Sequence, residues 1–279
     1  AAFGILFALW LYSRYKITVK GIKFKAERIK RPGQNYFQVV DRIVIVVALT
    51  GCLIRIGNFM NSEIYGKETH SDYGVVFAKN VIEYFEDPQF LIEDVDFQKD
   101  PTRAVTEAGF EPIKIQFTFE DNTINAEDYV NVNFRDMLQR RLTSQPYFSE
   151  HVYLPPGEPM GYTVAQKGTQ LVATADAYGI TRHPTQLYEA TTSLLIFLLL
   201  FLLWMRMKND TPPGLLLGLF LITLFGLRFV HEIFKVNQVA FEENMKYNMG
   251  QLLSIPLILA GIFILIRALK LPKNEESKS

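Results

Sequence analysis

Apolar residues fill four long stretches of the chain, and polar or charged residues flank each stretch. A helix that crosses a membrane needs about 20 predominantly apolar residues. The four stretches approach or reach that length, and they run from about Phe37 to Arg55, Leu187 to Met205, Gly214 to Phe234 and Met249 to Leu269. The apolar segment from Ala1 to Tyr12 has only about half that length. The pattern predicts an all-α polytopic membrane protein.

The chain between the first two long stretches follows a different pattern. From Ile113 to Phe119 apolar residues alternate with polar ones, which is typical of a half-buried strand. From Ala126 to Leu142 the pattern favours a helix, with Asn125 as an N-cap. Residues 67–182 contain 10 Lys and Arg against 19 Asp and Glu. We therefore expect an acidic α+β insertion with a solvated surface.

Basic residues set the expected orientation in the membrane. The segment from Ser13 to Gln34 carries eight basic residues and one acidic residue, and further basic residues follow the second and fourth apolar stretches. Loops rich in Lys and Arg stay in the cytoplasm, which makes the insertion extracytoplasmic. A nucleic-acid patch is the alternative for the basic segment, but its apolar flanks favour membrane topology. The expected domains are 1–66, the insertion 67–182, three membrane helices in 183–270, and a cytoplasmic tail, 271–279.

The first long stretch ends in an unusual polar sequence, RIGNFMNSEIYG at positions 55–66. An arginine in the middle of a membrane costs about 3 kcal/mol on insertion scales, so it normally faces a partner, a cavity or a ligand. If the helix continues, Arg55, Asn58 and Ser62 share one face. The planar guanidinium suits a phosphate. Glu63 follows eight residues later and is a poor dedicated partner, so we favour a ligand-binding role for Arg55.

Three further polar motifs border the other apolar stretches. They are HPTQLYE (His183 to Glu189), RFVHE (Arg228 to Glu232) and MGQLLSIP (Met249 to Pro256). With the arginine motif, and in this order, they resemble the signatures of the prolipoprotein diacylglyceryl transferases, a family of bacterial membrane enzymes. The resemblance covers residues 1–66 and 182–270 and leaves out the insertion.

The resemblance implies a reaction and a location. Enzymes of this family transfer the diacylglyceryl group of phosphatidylglycerol to the lipobox cysteine of a prolipoprotein signal peptide. A thioether forms and glycerol phosphate is released, which is the first step of lipoprotein maturation. The implied location is the bacterial plasma (inner) membrane, with multiple spans in contact with membrane lipid. The family usually carries an upstream His-Gly-Gly motif and an N-terminal tyrosine that have no counterpart here. We therefore expect that its N-terminal helices are missing, and we leave the thiol-activating base unassigned.

The resemblance also points to candidate site residues. Arginines aimed at a leaving phosphate stabilise its developing charge, and a histidine can titrate near neutral pH, although a histidine at a helix entry is more often a cap or an anchor. Glu63 and Glu232 are expected to hold arginines, and Arg228 with Glu232 can also form a simple ion pair at i, i+4 spacing. The expected catalytic residues are Arg55, Arg228, Glu232 and His183. The expected substrate-binding residues are Arg55, Asn58, Asn61, Glu63, Gly66, Gln186, Tyr188 and Glu189.

Other function classes find less support in the sequence. It contains no phosphate-cradling glycine loop, zinc-ligand spacing or nucleophile elbow, so we expect no metal or cofactor, and no nucleic acid partner. Cys52 is the only cysteine and is expected to be buried. The alternative to an enzyme is a non-catalytic membrane protein that binds anionic lipid or signal peptides. A transporter is disfavoured because no paired, Gly/Pro-interrupted helices are present.

Overall fold

The computed structural model describes residues 2–20, 23–29, 31–71, 73–106, 109–120, 128–235, 245 and 247–271. These residues form two units. The helical unit comprises Ala1–Gly57 and Gln186–Ser279, and the insertion unit comprises Asn58–Thr185. The predicted N-cap at Asn125, most of the connection 235–248 and nearly all of the tail 271–279 lie outside the described residues.

Along the chain, a first helix is followed by a two-stranded hairpin, a second helix, the insertion unit and three further long helices. The helices are α1 (Ala2–Arg14), α2 (Tyr36–Met60), α3 (Lys79–Phe85), α4 (Arg135–Ser144), α5 (Pro146–Ser149), α6 (Thr185–Met207), α7 (Leu215–His231) and α8 (Met249–Lys270). The strands are β1 (Tyr15–Lys20), β2 (Lys23–Arg28), β3 (Ile92–Lys99), β4 (Glu111–Phe119), β5 (Val152–Tyr153), β6 (Tyr162–Lys167) and β7 (Gln170–Gly179).

Four of the described helices, α2, α6, α7 and α8, are long and apolar enough to cross a membrane. They coincide with the four predicted stretches, which confirms this part of the prediction. Helix α1 has 13 residues, fewer than a span requires. The chain is thus a membrane protein with four candidate spans and a sheet-containing insertion.

The basic segment before α2 is not a simple loop. Strands β1 and β2 pair antiparallel from Tyr15 opposite Arg28 to Lys20 opposite Lys23. The prediction of an all-α fold outside the insertion is therefore wrong for this hairpin. Its alternation, with Ile17 and Val19 between Lys16, Thr18 and Lys20, was overshadowed by the density of charge.

The insertion unit is built on a five-stranded antiparallel sheet. Its order is β3-β4-β7-β5, and β6 also pairs with β7. The alternation predicted for β4 is confirmed, because its apolar residues from Ile113 to Phe119 are buried. The helix predicted from Ala126 to Leu142 corresponds to a π-helical segment, Tyr129–Phe134, that continues into α4. Phe134 and Leu138 from this helix pack with Phe117 of the sheet in one apolar core.

Polar contacts fix one end of the helical unit. The two carboxylate oxygens of Asp41, in α2, accept hydrogen bonds from the backbone N–H groups of Gly214 (2.7 Å) and Leu217 (2.8 Å) at the start of α7. The guanidinium of Arg267, near the end of α8, lies 4.4 Å from the ring centre of Phe37. The starts of α2 and α7 and the end of α8 therefore lie together, and we call this region the Asp41 end. Cys52 is buried, as predicted.

Helices α7 and α8 pack closely at two glycines. A Cβ atom added to Gly218 would lie 2.9 Å from Leu265 Cβ and 3.0 Å from the Gly261 carbonyl oxygen. One added to Gly261 would lie 3.1 Å from the Gly218 carbonyl oxygen. Small residues allow such close backbone approach between membrane helices, where van der Waals packing drives association.

We predict that Gly218→Ala destabilises the protein, because its methyl group forces α7 and α8 apart. Overpacking of this kind costs about 1–3 kcal/mol. Gly226→Ala is the matched control in the same helix, since a Cβ there meets nothing within 4 Å and alanine favours helix. Thermal unfolding of the full-length protein in detergent should show a lower Tm for Gly218→Ala only. Equal Tm values for the two variants would contradict the close packing.

Candidate functional site

A carboxylate in the first turns of α6 joins two cations from other parts of the helical unit. Glu189 Oε2 lies 2.7 Å from Arg55 Nε, and its other oxygen lies 2.7 Å from Lys235 Nζ. Lys235 Nζ also lies 3.5 Å from a carboxylate oxygen of Glu232. The side chains of Glu189 and Lys235 are only 9% and 5% exposed. We call these four residues the charged cluster.

The charged cluster lies where three apolar helices end or begin. Arg55 is near the end of α2, Glu189 near the start of α6, and Lys235 just after the 3₁₀ turn that follows α7. Buried charges are tolerated when they are paired, and removing one partner of such a pair is strongly destabilising, by about 3–5 kcal/mol. The cluster therefore fixes these three chain segments against one another.

The start of α8 is anchored to the same region. The side-chain nitrogen of Asn248, Nδ2, lies 3.4 Å from the Glu232 carbonyl oxygen, and Gln251 Nε2 donates to the Phe229 carbonyl oxygen at 3.3 Å. Asn248 and Gln251 also form a reciprocal capping box. Gly250 packs so closely on the Glu232 carboxylate that a Cβ would overlap it. Through these contacts the fourth motif, Met249 to Pro256, holds the start of α8 against the end of α7 and the turn that follows it.

The arginine partners differ from those that spacing along the chain indicates. Arg55 pairs with Glu189, 134 positions away. Among the residues that the structure describes, Glu232 pairs with Lys235 and not with an arginine, so the expectation that it holds an arginine is wrong. The i, i+4 ion pair between Arg228 and Glu232 does not form. Within the described part of the chain, Arg228 makes no ion pair, and its side chain is exposed.

Two buried polar residues of this region were missed. Lys235 was read as the start of a connection, although its i, i+3 spacing from Glu232 is a signal for a helical ion pair. His231 lies inside the RFVHE motif, is buried, and lies within electrostatic range of all four residues of the charged cluster. Its position, one residue before Glu232 at the end of an apolar helix, could have indicated that it belongs to the site.

The remaining predicted residues of the helical unit lie in the first turns of α6. Gln186 is almost fully buried. The Tyr188 ring meets Phe234 edge to face, with 6.4 Å between ring centres. Phe234 belongs to the same 3₁₀ turn as Glu232, so Tyr188 borders the segment that carries the charged cluster.

Several predicted residues belong to the insertion unit. Helix α2 ends at Met60 and Ser62 adopts a positive φ of 54°, so Ser62 does not share a helix face with Arg55, whereas Asn58 lies within α2. The side-chain oxygen of Asn61 accepts a hydrogen bond from Lys79 Nζ at 2.9 Å. The Asn58 carbonyl oxygen accepts one from the Glu63 N–H at 2.9 Å. Their polar groups thus help to form the chain turn after α2.

A backbone hydrogen bond joins Gly66 to His183. The Gly66 N–H donates to the His183 carbonyl oxygen at 2.9 Å, and the His183 N–H donates to Lys67 at 3.0 Å. A Cβ at Gly66 would overlap His183 and Thr185. This close approach explains glycine at position 66 by packing. His183 anchors the backbone at the entry to α6, which fits the structural alternative considered for it.

Tyr65 of the arginine motif belongs to a polar cluster inside the insertion unit. Its hydroxyl donates to Glu150 Oε2 at 2.9 Å, and its ring lies edge-on to His151 with 5.5 Å between ring centres. The Arg182 guanidinium lies 5.2 Å from the Tyr65 ring centre and donates to the Glu150 carbonyl oxygen at 3.1 Å. Burial and the bond to Glu150 raise the pKa of Tyr65 to about 12.

His151 lies deepest in this polar cluster. It is 2% exposed, and its Nδ1 atom has no hydrogen-bond partner among the described residues. Burial lowers the pKa of His151, and the positive charge of Arg182 lowers it further, while Glu150 acts in the opposite direction. The folded insertion unit therefore favours the neutral form of this histidine.

Comparison with known proteins identifies the family. The family profile described as prolipoprotein diacylglyceryl transferase matches residues 1–267. The chain belongs to this family. No solved structure matches the chain.

Curated members of the prolipoprotein diacylglyceryl transferase family match most of the chain. Proteins named phosphatidylglycerol–prolipoprotein diacylglyceryl transferase from Tolumonas auensis and Porphyromonas gingivalis are each 27% identical to it, over 96% and 98% of the chain and 60% and 62% of their own lengths. One from Bacteroides fragilis is 26% identical over 94% of the chain and 54% of its own length. The chain thus spans about three fifths of the length of these transferases.

All four motifs that resemble this transferase family contribute to one region of the helical unit. Arg55, Glu189 and Glu232 supply charges to the cluster, and Gly250 of the fourth motif packs on Glu232. Residues from distant parts of the chain therefore meet in one place, where they offer several cationic hydrogen-bond donors beside buried carboxylates.

We predict that this transferase family member loses stability as the pH falls through the pKa of a free histidine, about 6.5. The folded state binds a proton at His151 less readily than the unfolded state does, so the free energy of unfolding decreases by up to about 1.4 kcal/mol per pH unit. The measurement is thermal unfolding of the full-length protein from about pH 8 to about pH 5.

His151→Phe should reduce this pH dependence, because it removes the buried titrating group. The matched control is His70→Gln, at an exposed histidine of the same unit, which should leave the pH dependence unchanged. A slope that His151→Phe does not alter would show that His151 is not responsible.

Proposed function

We propose that the protein transfers the diacylglyceryl group of phosphatidylglycerol to the lipobox cysteine of a prolipoprotein signal peptide. The bond from the cysteine sulfur to the glycerol carbon forms, the bond from that carbon to the phosphate oxygen breaks, and glycerol phosphate leaves. The thiol proton passes to a base. The observation that carries this proposal is the convergence of all four motifs on the charged cluster, in a chain whose relatives carry the name of this activity.

The charges of the cluster are suited to a phosphate ligand. Arg55 Nε forms an ion pair with Glu189 Oε2 at 2.7 Å, although that oxygen accepts no aligned hydrogen bond from a described residue. A guanidinium carries five N–H bonds, so the two terminal amino groups of Arg55 can donate to a phosphate. Glu189 thereby orients Arg55, while Lys235 balances its second oxygen. Arg228 is exposed and supplies a further cation. We propose that Arg55 and Arg228 bind the phosphate of phosphatidylglycerol and stabilise the leaving glycerol phosphate.

The other predicted residues have secondary parts in this proposal. Glu232 acts through Lys235 and the start of α8. Tyr188 and Gln186 border the charged cluster in the first turns of α6. Their substrate contacts, and those predicted for Asn58, Asn61, Glu63, Gly66 and His183, remain proposals from the sequence.

We also propose an orientation in the bacterial plasma membrane. The Asp41 end carries the basic residues at or just after the ends of α6 and α8, namely Arg206, Lys208, Arg267 and Lys270, and the basic hairpin precedes α2. An excess of Lys and Arg marks the cytoplasmic side. The charged cluster and the insertion unit then belong to the extracytoplasmic side, where lipobox cysteines arrive during export.

We predict that Arg55→Lys abolishes most diacylglyceryl transfer by the full-length protein. Lysine keeps the charge but cannot pair with Glu189 and a phosphate through a planar fork. Loss of one preorganised donor to a developing oxyanion lowers the rate by about 100-fold or more. The assay follows the mass increase of a synthetic lipobox peptide in detergent with phosphatidylglycerol.

Arg206→Lys is the matched control, because Arg206 is exposed at the opposite end of α6, and it should retain the rate. Transfer by Arg55→Lys near the wild-type rate would remove Arg55 from the site. If the unaltered protein binds the lipid and the peptide but transfers nothing, the non-catalytic binding function replaces the transferase.

The orientation leads to a separate prediction. In a Cys52→Ser background, Lys99→Cys in the insertion unit should react with an impermeant thiol reagent on intact cells, after permeabilisation of any outer membrane. Lys16→Cys in the hairpin should react only after the plasma membrane is opened. Both lysines are exposed, so burial does not limit either reaction. The reverse labelling pattern would invert the topology.

A further inference from the structure

A polar pocket lies at the Asp41 end of the helical unit. It is open to the surface and has a volume of about 20 Å³, which is room for about one water molecule. Its lining comes from the start of α2, the end of α6 and the connection to α7: Gln38, Asp41, Arg42, Trp204, Lys208, Asn209, Thr211 and Leu216. None of these residues belongs to the four family motifs or to the charged cluster.

Two cations line the pocket. Arg42 and Lys208 are both exposed, and neither forms an ion pair with any residue that the structure describes. The acid in the lining, Asp41, directs both carboxylate oxygens at the N–H groups of Gly214 and Leu217. Its charge therefore serves mainly the positive start of α7. Arg42 lies within electrostatic range of Asp41 but forms no ion pair with it in the described part of the chain.

The loop that carries Lys208 is held in a defined conformation. Lys208 adopts a positive φ of 46°, which is uncommon for a residue other than glycine. The Thr211 hydroxyl donates to the Lys208 carbonyl oxygen at 2.8 Å. The backbone of Lys208 is thus held in place while its side chain remains exposed beside Arg42.

The position of the pocket is typical of the region where lipid headgroups meet a membrane protein. The three segments that line it are the polar ends of candidate spans. The Trp204 indole belongs to the lining, and tryptophans are enriched where hydrocarbon gives way to water. Basic pockets between membrane helices are suited to phospholipid phosphates.

We propose that the open mouth of this pocket binds a phosphate group presented by an anionic phospholipid headgroup, held between Arg42 and Lys208. The site is distinct from the proposed transfer site. Asp41 and Arg55 are 14 residues apart in α2, which corresponds to about 21 Å along a helix. A lipid in the pocket would bind the starts of α2 and α7 together from the leaflet opposite to the charged cluster.

The chain provides its own reporter for a test. Trp10 and Trp204 are its only tryptophans, so a Trp10→Phe variant of the full-length protein reports on the pocket by fluorescence. The probe is phosphatidic acid titrated into detergent micelles that contain the protein. This lipid is chosen because phosphatidylglycerol, the proposed substrate, would also occupy the transfer site. Phosphatidylcholine is the zwitterionic reference, and inorganic phosphate tests for a free anion.

Saturable binding of phosphatidic acid, with phosphatidylcholine inactive, is the expected result. Each cation near a membrane surface contributes about 1 kcal/mol, so Arg42→Gln and Lys208→Gln should each weaken binding about fivefold. Lys208→Arg keeps the positive charge and should bind phosphatidic acid as tightly as the unaltered protein does. The matched control is Arg206→Gln, which removes an exposed cation from the same helix end but not from the pocket. Thermal unfolding identifies any variant that fails to fold, and Lys208→Arg tests the charge without removing it.

The outcomes separate the ligand sources. Binding of phosphatidic acid without inorganic phosphate supports a lipid headgroup site, whereas equal binding of both shows a site for free phosphate and overturns the lipid assignment. An equal loss in Arg206→Gln would show diffuse surface attraction and would overturn the pocket. Titrations that do not saturate would also overturn the pocket, as would pocket variants that bind phosphatidic acid like the unaltered protein.

Discussion

The helical unit depends on the neutralisation of one buried carboxylate. Glu189 lies between Arg55 and Lys235 with both distances at 2.7 Å. An unpaired charge in a low-dielectric interior costs several kcal/mol, and the pair is favourable only when its geometry is good. The ends of α2 and α7 and the start of α6 must therefore meet at this point. This meeting of helix ends gives the Glu189 carboxylate its two cationic partners.

Asp41 imposes the same kind of constraint at the other end of the unit. Its partners are backbone N–H groups of α7, which carry the partial positive charge of a helix start. Apolar side chains give no directional preference between one helix and another in a lipid environment. Polar contacts at both ends therefore set the depth of each helix, and the close packing at Gly218 and Gly261 sets how near α7 and α8 approach.

Local periodicity made most of the fold predictable, whereas contacts between distant segments were not predictable from one sequence. The four apolar stretches and the alternation of β4 are properties of neighbouring residues, and both predictions are confirmed. The partnership of Arg55 with Glu189 joins residues 134 positions apart, and no spacing rule reaches that far. Lys235 was missed because a lysine after an apolar helix resembles an ordinary solvated end. The hairpin was missed because charge concealed its alternation.

The charge balance of the cluster bears directly on the proposed chemistry. With all four side chains ionised, Arg55 and Lys235 balance Glu189 and Glu232, so the cluster is neutral before any ligand binds. A phosphodiester carries one negative charge, and the glycerol phosphate that leaves approaches two. Only interactions that strengthen as that charge develops increase the rate. A neutral cluster holds Arg55 in place but adds no net charge. We therefore propose that Arg228, which is exposed and forms no ion pair in the described part of the chain, meets the additional charge.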